Sequence, residues 1–207
     1  MPELHDLEIF GLAALVMVLT PGPNMVYLIS RSICQGRLAG FISLIGVIVG
    51  FLFHMFAAVV GLTAMFLAVP YAYTILKIAG AMYLLWLAWG ALTGAGSPFT
   101  PKQLPPDSPA KLFRMGLLTN VLNPKVAVFY MSLFPQFIKP QNGSVITQSL
   151  ALGMTQLTIS FTVNFLIVMT AGTVCTFFKN NPRWLRLQKW VMALTLGGLA
   201  VRLLTLA

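Results

Sequence analysis

Long charge-free apolar runs set the pattern of this chain. Residues 9–30 hold 22 positions without Asp, Glu, Lys or Arg, and residues 38–76 and 140–178 hold 39 each. At ~1.5 Å of rise per residue, about 20 apolar residues span the ~30 Å hydrocarbon layer of a bilayer as a helix. The first run therefore predicts one crossing. Residues 38–76 are too long for one, and Pro70 divides them, because proline is tolerated in a first helical turn. A helix is expected over about 40–67 and another over 71–93, with Lys77 near its start, where its stem can snorkel. Further crossings are expected over about 113–138, 146–177 and 184–205.

The expected fold is thus an all-α integral membrane protein of six transmembrane helices. The polar segment GAGSPFTPKQLPPDSPAKL, residues 94–112, splits it into three helices on each side. Arg37 and Lys139 flank the two 39-residue runs on one side, and Lys77 and Lys179 on the other, both pairs 102 positions apart. The proline breaks at Pro21–Pro23 and Pro124 have nearly the same offset. This is a weak internal repeat. One transporter domain is expected over residues 1–207, with repeat one at about 8–93 and repeat two at about 113–205. Three crossings per repeat put the second copy upside down, giving two inverted three-helix repeats with helices 1 and 4 broken at midplane.

Composition strengthens the membrane reading. Apolar residues make up 58% of the 207 positions and charged residues 8%, against about 25% charged in soluble domains. The net charge of +9 does not point to nucleic acid, because the bases lie between apolar runs. Nine of the 13, from Arg31 and Arg37 through Lys102, Lys111 and Arg114 to Lys179, Arg183, Arg186 and Lys189, fall on one side of the six crossings. The positive-inside rule puts that side in the cytoplasm and both termini outside. The N-terminus MPELHDLEIF lacks the basic region of a cleaved signal, so the first helix is expected to be retained. Cys34 and Cys175 read as isolated apolar or interfacial thiols. The residues indicate no metal or other cofactor, and they leave the oligomeric state, a homodimer included, open.

The chemistry concentrates at the breaks. In TPGPN, Thr20, Pro21, Gly22, Pro23 and Asn24 interrupt the first span. Proline removes a backbone donor, and the carbonyl groups it frees need protein or water as partners. A plain proline kink is the alternative reading. The fourth span carries TNVLNPKVAVFY, placing Asn120, Asn123, Pro124 and Lys125 near its centre. A lysine at mid-membrane costs roughly 2.5–3.5 kcal/mol on insertion scales, so it must pair, deprotonate or face water. A substrate carboxylate is one partner, with the N–H groups of the half-helices beside it. Backbone carbonyl groups across the break are the other. His54 in helix two is a candidate proton carrier, or a neutral hydrogen-bonded histidine. Gln156 stands 102 positions later. Gly36, Gly40, Gly46 and Gly50 read as packing glycines. No acid lies inside a span, which favours a neutral zwitterionic substrate.

The chain resembles the lysine exporter superfamily, within it the homoserine and threonine efflux branch. The resemblance is sharpest over Leu19–Gly50, over GFLFH and LKIAGAMYLLWLAWGAL, and over FRMGLLTNVLNPKVAVFYMSLFPQFI. It implies a bacterial inner-membrane exporter, and no enzyme, that carries an amino acid of the threonine, homoserine, homoserine lactone or leucine type, coupled to protons. It also implies roles for the PGP residues with Asn24, for Asn123, Pro124 and Lys125, and for His54. A proton-independent channel or an intramembrane enzyme is the competing class.

Overall fold

The computed structural model of the chain describes residues 2–20, 22–68 and 106–180, with single positions between 78 and 93 and between 183 and 205. The helices expected over 71–93 and 184–205, with Lys77, residues 94–105 of the linker and Pro21, lie largely or wholly outside the described residues. Within them the chain is all-helical. Two helices are long and apolar enough to cross a membrane unaided, over Arg37–Gly61 and Val145–Thr173. Two bent pairs bring the number to four if each is one span.

The first bent span is α1, Leu4–Leu19, followed by α2, Pro23–Gln35, with a 53° bend between them. The expected crossing at 9–30 thus extends by a turn at either end, since Leu4 and Leu7 before it and Ile33 after it continue the apolar pattern. Pro21 has no N–H to close the last turn of α1, and Pro23 starts α2 at a position that needs none. Gly36 follows with φ +88°, a left-handed angle that glycine adopts freely. It serves the turn into α3, Arg37–Ala68, and not helix packing.

The second bent span opens with α4, Pro109–Val121, capped by the Ser108 hydroxyl, which accepts from the Lys111 N–H. Asn123 then caps the short α5, Pro124–Val128. The chain continues through a π turn at Phe129–Leu133 and a 3-10 turn at Phe134–Phe137, and the pair bends by 48°. A 3-10 turn at Pro140–Asn142 leads into α6, Val145–Asn180. The expected helices at 40–67 and 146–177 match α3 and α6 within three residues.

The two bent spans run antiparallel. Asp6 at the start of the first meets Lys139 past the end of the second, and Arg31 and Gln35 at the finish of the first meet Asp107 at the start of the second. Packing is exchanged between the halves: α1 lies on α6, and α4 lies on α3. Glycine permits the second contact. A Cβ on Gly46 would stand 2.1 Å from the Phe113 carbonyl oxygen, and one on Gly116 2.2 Å from that of Ser43. Gly40 is equally tight against Ser32, and a Cβ on Gly50 would stand 2.6 Å from that of Asn120. The apolar core sits where the spans cross, with Phe10 of α1 edge-on to Phe134 and Phe137. Leu12, Phe53, Phe56, Leu122 and Leu166 face outward, as lipid contact requires.

Candidate functional site at the crossing of the two broken spans

The two breaks meet. Lys125, at the second residue of α5, reaches across to the first span, and its Nζ donates to the carbonyl oxygens of Met17 at 3.0 Å and Thr20 at 2.7 Å. The reason is written in the sequence. In an unbroken helix the Met17 carbonyl would accept from residue 21, which is proline and has no N–H. Thr20 has ψ 122°, so its carbonyl leaves the helical direction. Gly22 lets the ammonium approach, for a Cβ there would stand 3.0 Å from Nζ.

A second cross-tie has the same logic. His54 Nε2 bonds the Asn120 carbonyl oxygen at 3.1 Å. That carbonyl would have accepted from residue 124, again a proline; it accepts the Asn123 N–H at 2.9 Å as well as His54. A carbonyl only accepts, so Nε2 carries a hydrogen. The imidazole is stacked on Tyr130 in the π turn, with ring centroids 5.9 Å apart. A basic side chain from another element thus bonds each broken end, alone at the first break and sharing the Asn120 oxygen with the Asn123 N–H at the second.

Around this junction the expected residues separate into groups. Thr20, Gly22, Asn24 and Lys125 come together at the first break, and Pro23 opens α2 beside them. Asn123 accepts the Lys125 N–H on Oδ1 at 3.1 Å, and Pro124 opens α5. Asn120 is fully buried against Gly50 with neither amide atom partnered. Gln156 stands apart: its Nε2 donates to Ser160 Oγ one turn along α6, and its Oε1 is buried without a partner.

A small void of about 10 Å³, the room one water needs, is lined by Met17, Val18, Asn24, Met25, Phe51, Lys125, Val126 and Asn164. Asn24 Oδ1 is buried there without a partner. The first turn of α2 has no side-chain cap. The junction thus offers an ammonium, an unpaired amide oxygen and uncapped helix N–H groups beside an apolar wall.

A family model described as LysE type translocator matches residues 15–207. The chain belongs to that family. It is a multi-pass membrane transporter and not an enzyme. Among curated relatives, a leucine efflux protein of Enterobacter sp. (strain 638) is 29% identical over 95% of this chain and 94% of its own length. Leucine efflux proteins of Salmonella typhimurium and Klebsiella pneumoniae are 27% identical over 93% of this chain and 92% of theirs. No solved structure matches.

In this LysE-type translocator, sequence reasoning missed several groups at or near the junction. Asn164 was visible only as one of many polar residues in its helix. Its i, i+4 spacing with Gln156 and Ser160, all three buried, was the available signal. Tyr130 has no polar neighbour in sequence to single it out. Asp107 was read as linker, yet its side chain is 6% exposed and pairs with Arg31 and Lys111.

Proposed function

We propose that this translocator is a proton-coupled secondary exporter of neutral amino acids of the leucine type. We place it in a bacterial inner membrane, with six spans in two inverted repeats at about 8–93 and 113–205 and both termini outside. The antiparallel bent spans and the exchanged packing of α1 on α6 and α4 on α3 support the inverted repeat. The names of the relatives support leucine as substrate.

One observation carries the reading. Lys125 holds its ammonium between two broken helices on carbonyl groups that have no other helical donor. A substrate carboxylate replaces those carbonyl groups as its partner and meets the uncapped N–H groups of α2. The substrate ammonium takes Asn24 Oδ1, and Asn164 closes that side. Met17, Val18, Met25, Phe51 and Val126 receive an apolar side chain. The void is far smaller than leucine, so the site enlarges only when the halves part, which is alternating access in its occluded form. His54 carries the proton: the Asn120 carbonyl keeps the hydrogen on Nε2 in both states, so Nδ1 is the atom that gains and loses it.

Everted membrane vesicles with an imposed pH gradient, loaded with a panel of radiolabelled amino acids, test this. Gradient-driven flux of leucine above threonine, homoserine and basic amino acids is expected. His54→Gln is expected to keep leucine exchange and lose the gradient dependence. Flux indifferent to the gradient in the wild type would make the protein a channel or uniporter.

A further inference from the structure

Three pairs of residues lie 101 positions apart: Asp6 and Asp107, Pro23 and Pro124, and Gln35 and Gln136. The prolines begin the second half of each bent span. The two aspartates mark the beginning of the first half, Asp6 in the first turn of α1 and Asp107 two residues before α4. Each aspartate pairs with a cation at the far end of the other span. Asp107 is held by Arg31, by Lys111 at 2.5 Å and by Gln35, which donates from Nε2 at 2.9 Å and accepts the Asp107 N–H at 3.0 Å. Asp6 pairs with Lys139 at 2.7 Å, and Gln148 clasps the Lys139 backbone through its N–H and carbonyl at 3.0 and 2.9 Å. Since the spans are antiparallel, these clusters lie at opposite ends of the crossing, with Lys125 between them.

We propose that the Asp107–Arg31 and Asp6–Lys139 clusters are the two gates of the transport path, closing the Lys125 junction from opposite membrane faces and opening in turn. The proposal builds on the site described under Proposed function, but it does not depend on which substrate fills it. Each gate ties one bent span to the other, so rocking the halves breaks one cluster while the other holds, and the repeat gives each gate an aspartate at the same place. They are unequal in strength. Arg31 and Asp107 have side chains 11% and 6% exposed, whereas Lys139 is 34% exposed. Around the first gate the Tyr27 hydroxyl also donates to the Leu112 carbonyl at 2.8 Å, and Arg31 lies over the Tyr27 ring. The Asp6 face therefore opens more readily.

The test uses Val18→Cys, on the cavity wall, in a chain whose Cys34 and Cys175 are replaced by serine. A membrane-impermeant maleimide labels it in right-side-out and in everted vesicles, without substrate or gradient. Asp107→Asn is expected to raise labelling from one face by about tenfold or more, as loss of a buried charge-assisted contact does. Lys139→Gln is expected to raise it from the opposite face only, by about two- to fivefold, as for a more exposed pair. Loss of structure alone would raise both faces together, and that result, or no change in either variant, overturns the gates. Protection of the same cysteine by excess leucine reads the substrate site separately. Protection without a face-selective shift removes the gates and leaves the site. A face-selective shift without protection supports the gates and removes leucine.

Discussion

Asp107 shows how one side chain ties two elements. Its bond to Lys111, then that to Gln35, with Arg31 adding its charge, hold its carboxyl below the ordinary value of 3.8 against the opposing effect of desolvation. A carboxylate whose folded pKa is depressed contributes stability that is present above the unfolded value and lost as pH falls through the folded one. The melting temperature of the purified wild type should therefore exceed that of Asp107→Asn by a constant amount from neutral pH down to about 5. The difference should close only below about pH 4. A difference that vanishes between pH 8 and 6 would show that Asp107 is not ion-paired as described. Lys139 behaves in the opposite sense: Asp6 first, and Glu3 more weakly, raise its pKa above 10.5, so its contribution persists through neutrality and fades only in strong base. Asp107 and Lys139 therefore both keep their charges through neutral pH.

At the scale of elements, the prolines and the charge-free runs said where helices stop, and they were right for α3, α6 and both breaks. They could not say where the second half of a broken helix goes. That direction is set by partners distant in sequence: Lys125 on Met17 and Thr20, and His54 on Asn120. Lys125 could be read as costly and in need of a partner, and backbone carbonyl groups across the break were one of the two partners that physics allowed. Asp107 was illegible for a different reason. Polarity and proline around it look like any solvated linker, and only folding buries it against Arg31. The π turn that carries Tyr130 has no breaker residue to announce it. Of the four glycines read as packing positions, Gly40, Gly46 and Gly50 pack, and Gly36, just before α3, instead serves the turn through its positive φ. The contacts at Gly46 and Gly116 are to backbone, which cannot swing aside. Gly46→Ala and Gly116→Ala should each destabilise the purified protein by about 1–3 kcal/mol, as overpacking does. Gly61→Ala, where a Cβ meets nothing within 4 Å, should be neutral or slightly stabilising. Equal thermal stability of the Gly46 and Gly61 variants would refute the close approach of α3 and α4.

Across the whole molecule, each half completes the other. The α1 helix of the first half rests on the long helix of the second, and α4 on the long helix of the first. In the proposed function, transport changes how the halves meet, while the breaks stay in register at the middle. The account places the substrate's carboxylate on Lys125 at that meeting point. Equilibrium binding of radiolabelled leucine to the purified protein, wild type against Lys125→Met with matched thermal stability, tests it most directly. The account expects Lys125→Met to weaken binding by about ten- to a hundredfold, the worth of a charged hydrogen bond. Leucine bound as tightly by Lys125→Met as by the wild type would contradict it and leave Lys125 only the work of tying two broken helices together.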